Sequence, residues 1–133
     1  MDIETQEQTI EDILVDVAKL DKKKLKDLLA ALHLVADLTG GAAPLHQTII
    51  LLEVALAETQ GHHLEVLELA DKVSVSNSSI SRNVAALGEW HRSQRPGLML
   101  VKTINEQADR RRKAITLSKK GETVVGLVLG KFD

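Results

Sequence analysis

A chain of 133 residues with 44% apolar and 27% charged side chains and a formal net charge of -2 has the length and balance of one globular domain able to bury a core. That balance excludes a disordered or collagen-like chain, and the lack of cysteine excludes disulfides, cysteine-ligated zinc and thiol redox sensing, as fits a reducing compartment. The opening MDIETQEQTIEDI has neither the basic start nor the apolar stretch of a secretory signal, and no apolar run approaches the ~20 residues of a bilayer span; the expected location is the cytoplasm, with no membrane partner.

In chain order, Ile10, Leu14, Val17, Leu20, Leu28, Leu32, Val35 and Leu38 recur near a 3.6-residue period, which predicts an amphipathic helix over 7–39. LDKKKLK is the one place where it could break. Three lysines behind Asp21 would oppose the dipole of a helix starting there, so continuity is expected. GGAAP ends the element, and Pro44 suits the first turn of a second helix reaching about Gln60. Its apolar positions, among them Leu45, Ile49, Leu52 and Leu56, cover most of its circumference and predict a buried central helix, after which GHHLE reads as a short turn.

VLELADKVSVSNSSISRNVAALGEW predicts a helix from about Glu65 to Lys72, a tight turn at VSVS, and a second helix from Ser76 or Asn77 to about Glu89 capped by Ser76. Two helices joined by so short a turn make a helix-turn-helix, whose second helix can enter the DNA major groove. Ile80, Val84 and Leu87 share the inward face; Ser78, Arg82 and Ala85, flanked by Ser79 and Ser81, face outward, and the run Asn77, Ser78, Ser79 exceeds what one cap requires. Beyond the linker HRSQRPG, LMLVKTI and KAITL have strand composition and predict a two-stranded ribbon whose tip, NEQADRRR, is cationic. Residues 118–131 return to helix, opening on Ser118. The expected fold is therefore mainly α with a small β-hairpin wing.

The net charge conceals a segregation. Residues 1–73 carry 6 Lys/Arg and 14 Asp/Glu, net -8; residues 74–120 carry 10 and 3, net +7; residues 121–133 carry 1 and 2, net -1. A basic block in an acidic protein is either a solvated surface or the face that meets a polyanion, and its coincidence with the helix-turn-helix and wing favours the second. A wing tip holding Arg110, Arg111, Arg112 and Lys113 can lie over the DNA backbone and insert an arginine into the minor groove.

LADKVSVSNSSISRNVAAL, PGL and DRRRKAITLSKKGE together resemble the MarR family of bacterial transcriptional regulators over residues 44–122. The resemblance implies that Asp109 braces the wing, that Arg111 enters the minor groove, and that Ser78, Ser79 and Arg82 meet bases or phosphates. It also implies a small-molecule effector held between the dimerising and DNA-binding parts. Three features depart from the family pattern: Ser74 stands where the turn usually has glycine, Asn83 replaces a usual apolar residue, and GEWHRSQRPG makes a longer linker.

The expectation is a winged helix-turn-helix with terminal dimerisation helices: residues 1–43 for dimerisation, 44–120 for DNA binding, and 121–133 joining the dimer interface. Its function is sequence-specific binding of double-stranded DNA as a regulator, a repressor, at a pseudo-palindromic site read by a homodimer, with Asn77, Ser78, Ser79, Ser81, Arg82, Arg110, Arg111, Arg112 and Lys113 as the contacts. The alternative is a winged-helix module that binds protein. His46, His62 and His63 read as surface residues rather than metal ligands, Trp90 as a core residue beneath the wing, and Glu11, Asp12 and Asp16 as solvated acids. No phosphate loop or nucleophile motif occurs, so neither an enzyme nor a cofactor is expected.

Overall fold

The computed structural model describes residues 17–39, 44–89, 96–105 and 113–132. A 3-10 turn at Val17–Lys19 precedes α1 (Lys22–Leu38); α2 (Leu45–Thr59), β1 (Leu64–Glu65), α3 (Val66–Val73), α4 (Asn77–Leu87), β2 (Val101–Asn105), β3 (Lys113–Leu117) and α5 (Lys119–Leu129) follow. β3 is the central strand of an antiparallel sheet of order β1-β3-β2, with Leu64 opposite Ile115 on one side and Val101 opposite Leu117 through Asn105 opposite Lys113 on the other. This is the mainly helical winged arrangement expected. Among the described residues, no helix is long and apolar enough to cross a membrane.

The continuous helix over 7–39 is corrected: residues 7–16 lie outside the described residues, and the chain breaks at the lysine run. Asp21 is extended and its Oδ1 accepts from the Lys24 amide at 3.0 Å, while Lys23 pairs with Asp27 at 3.0 Å. One carboxylate at the cap satisfies an orphan donor and places negative charge at the positive end of the dipole, which outweighs the three lysines behind it.

The core forms where α2, α3, α4 and β3 meet. Ile50 and Val54 of α2, Leu69 of α3, Ile80 and Leu87 of α4 and Ile115 of β3 are fully enclosed, and α5 closes the end with Val124, Val125 and Val128. The apolar circumference predicted for α2 is only partly buried: Leu45, Leu52 and Leu56 stay exposed and Ile49 is half-buried. α1 packs on α5 through a narrow strip, burying Ala31 and Val35. Leu25, Leu28, Leu29 and Leu32 form its other apolar stripe at i, i+3, i+4, i+7 spacing and remain 47–50% exposed.

Long-range hydrogen bonds tie the sheet to the helices. Glu58 of α2 accepts from the Thr116 hydroxyl and, at 2.8 Å, from the Leu117 amide, so one carboxylate holds β3 to the end of α2. GHHLE, expected to be only a turn, also holds β1. Gly61 supplies the positive φ (74°) of the reversal, and Leu64 and Glu65 then pair with the free edge of β3.

Candidate nucleic-acid interface

The helix-turn-helix is built from local chemistry. At the start of α3, the Glu68 carboxylate accepts from the Glu65 backbone amide at 3.1 Å, and His62 Nε2 lies 3.5 Å from its other oxygen. The Glu65 amide holds Glu68 below the usual glutamate range, with His62 and Lys72 acting the same way and burial opposing them. A carboxylate with a lowered folded pKa contributes stability that is present above the ordinary value near 4.5 and lost as pH falls through the lowered one. In acid titrations of thermal stability, the wild type should therefore fall more steeply below that range than Glu68→Gln; parallel curves would remove this carboxylate from the pH dependence.

Ser74 occupies the left-handed region at φ 60°, ψ 45°, and the Val75 amide reaches back to the Ala70 carbonyl at 3.1 Å, which closes α3 and redirects the chain. The tight turn is thus made by serine where a glycine would be sterically easier. Ser76 then caps α4, its Oγ accepting from the Ser79 amide at 3.1 Å and lying 3.2 Å from Ser78 Oγ.

The facing of α4 follows the predicted spacing. Ile80, Val84 and Leu87 are buried; Asn77, Ser78, Ser81 and Arg82 are exposed. Two readings are corrected. Ser79 and Ala85 are half-buried rather than fully outward, because Ser79 lies against Asn83 and Ala85 lines a cleft beside the wing. The helix also ends at Leu87, not Glu89.

Its end is held by the segment expected to begin the first wing strand. The amides of Leu98, Met99 and Leu100 donate to the carbonyls of Ala86, Gly88 and Leu87 at 2.8–3.0 Å, and Met99 adopts φ 58° to do so. The strand accordingly starts only at Val101. A Cβ at Gly97 would collide with the Gly88 carbonyl, and one at Gly121 with the Leu100 carbonyl, so both glycines are required by close backbone approach. Ser118 caps α5 by accepting from Gly121 and donates to the Met99 carbonyl. The end of α4, the wing and the last helix are thereby joined at one point.

Between α4 and the wing lies a cleft of about 470 Å³, lined by Ser81, Ala85, Lys102, Thr103 and Lys113 over a floor that includes Val84 and Val101. Arg82 and Lys113, both predicted contacts, are exposed, and Lys102, which the sequence reading missed, joins Lys113 at the cleft. A lone lysine in an apolar strand carries no local signal; its place depends on the β2–β3 register. Asp109, Arg110, Arg111, Arg112 and Trp90 lie outside the described residues. His62 approaches Glu68, and His63 Nδ1 lies 3.8 Å from Glu58 Oε1; among the described residues, no group of three or more His, Cys, Asp and Glu could hold a metal ion.

A helix-turn-helix followed by a two-stranded wing, with cations on both, defines the winged-helix class. Solved structures share this fold. The S. aureus MepR–DNA complex is 18% identical to this chain and matches 84% of it and 74% of MepR with a TM-score of 0.57. MarR is 20% identical, matching 83% of this chain and 73% of its own with a TM-score of 0.55. The transcriptional regulator Tm0710 from Thermotoga maritima is 16% identical and matches 96% of this chain and 72% of its own with a TM-score of 0.62. The chain has the winged-helix fold of these MarR-type regulators. No protein-family model and no curated protein sequence matches it.

Proposed function

We propose that this protein is a non-enzymatic, sequence-specific regulator that binds double-stranded DNA as a homodimer and represses transcription. The observation that carries the reading is the outward face of α4: Asn77, Ser78, Ser81 and Arg82 are exposed beside a wing that carries Lys102 and Lys113. Small hydrogen-bonding side chains allow close approach to a major groove, and an arginine among them supplies a fork of donors for guanine or phosphate. Ser79, set at the margin of this face, completes the predicted contacts on the helix. Arg110, Arg111 and Arg112 are proposed to extend the contact to the backbone and minor groove, with Asp109 bracing them. MepR, whose fold this chain shares, has been solved with DNA.

The proposed division is residues 44–120 for DNA and residues 1–43 with 121–133 for dimerisation. The exposed leucine stripe of α1 and the exposed Leu127, Leu129 and Phe132 at the other terminus support it, since a two-fold pair would bury both. Such a dimer presents two recognition helices to half-sites about one DNA turn apart, so the site is pseudo-palindromic. A small-molecule effector belongs to the family resemblance, and no residue is assigned to it.

The test is gel-shift titration of duplexes selected from random sequence, repeated over a range of salt. The expected result is selective binding whose affinity falls steeply with salt, with Arg111→Ala weakening it by about 1 to 3 kcal/mol. Absence of salt-dependent duplex binding would overturn the reading in favour of a winged-helix module that binds protein.

A further inference from the structure

Gln47 and Thr48 are the buried polar side chains among the described residues, and Gln47, in the first turn of α2, is only 8% exposed. A buried amide costs free energy unless it is hydrogen-bonded. Its Nε2 donates to Asn83 Oδ1 at 3.4 Å, across 36 residues of sequence. Asn83 in turn directs its Nδ2 at Ser79, 3.0 Å from the carbonyl and 3.5 Å from the hydroxyl oxygen. An apolar side chain at position 83 would leave the Gln47 amide without this acceptor and Ser79 without this donor.

We infer that Gln47 and Asn83 form a polar clasp between α2 and the recognition helix that sets Ser79 as a hydrogen-bond donor toward an acceptor on a DNA base edge. This rests on the DNA-binding reading above and names a positioning pair and a specificity residue within it. The Ser79 hydroxyl oxygen faces an amide donor, so its own hydrogen is directed elsewhere, and its backbone amide is already taken by Ser76 Oγ. Ser79 stands in the first turn of α4, the part of a recognition helix that meets bases. The acceptors available there for its hydrogen are purine N7, guanine O6 and thymine O4, whereas the donors cytosine N4 and adenine N6 would have only the one hydroxyl lone pair that the Asn83 amide leaves open. The clasp also fixes the azimuth of α4 against α2, since the two amides hydrogen-bond in one relative orientation of their helices, whereas an apolar pair would tolerate several.

The experiment compares Gln47→Leu, Asn83→Leu and the double variant with the wild type by thermal melting and by binding to two duplexes, one selected from random sequence and one of the same length with that sequence scrambled. Each single variant strands one amide and should melt lower. The double variant, with both amides replaced by apolar groups, should recover most of the melting temperature. All three should bind the selected duplex about tenfold more weakly, with binding to the scrambled duplex and the salt dependence unchanged. A double variant that regains specificity along with stability would make the clasp a packing device only and overturn the inference. So would an equal loss on both duplexes, which would place Ser79 on a phosphate, or single variants that melt like the wild type. If the wild type itself binds neither duplex, the DNA reading fails; if it discriminates and the leucine variants discriminate equally, this inference alone fails.

Discussion

Ile80→Ala is expected to destabilise the fold by about 2 to 5 kcal/mol, whereas Arg82→Ala, two positions away, should change stability by no more than about 0.5 kcal/mol. Ile80 is 0% exposed and sits in the core cluster with Val54, Leu69 and Ile115, so truncation removes three carbons from a site whose neighbours belong to different elements. Those elements are held by the Glu58 and Leu98–Leu100 hydrogen bonds, which limit collapse into the void. Arg82 is exposed, and its loss opens no cavity. Its cost should appear in DNA affinity instead, at about 1 to 3 kcal/mol. Chemical denaturation and gel-shift titration of the two variants should give opposite rankings. The same ranking in both measurements would mean that α4 presents a different face to its partner.

The second large effect concerns assembly. Leu28→Glu combined with Leu32→Glu should convert the proposed dimer to a folded monomer and lower affinity for a two-half-site duplex about 10² to 10⁴-fold, while binding to a single half-site changes little. Both leucines are 47% exposed in the single chain, so the carboxylates meet water there and are expensive only where a second copy covers them. Ala31 and Val35, which hold α1 to α5, are left unchanged. Light scattering at micromolar concentration reads the assembly directly. A wild type that is monomeric, or a double variant that stays dimeric, would place the interface elsewhere or remove it.

Most of the order of elements and the facing of α4 were legible in the sequence because both are encoded within about four residues. Ser76 capping α4, Ser118 capping α5, and the Ile80, Val84, Leu87 spacing are local signals, and the structure keeps each of them. The helix break at Asp21 was equally local but misjudged, because one capping carboxylate outweighs three lysines. Other features had no local signal. β1 is two residues long and exists because the edge of β3 offers it partners; Lys102 reaches the cleft through strand register; Glu58 finds Leu117 across 59 residues and Gln47 finds Asn83 across 36. Periodicity marks a side chain as apolar without saying what covers it, so Leu52 and Leu56 of α2 read as core like Ile50, and only the packed chain separates them. Caps and helical faces are contacts between neighbours in sequence, which the sequence alone determined for this protein. The clasp on Asn83, the cleft beside the wing and the uncovered leucines depend on where distant segments come to rest, and only the tertiary structure decides that.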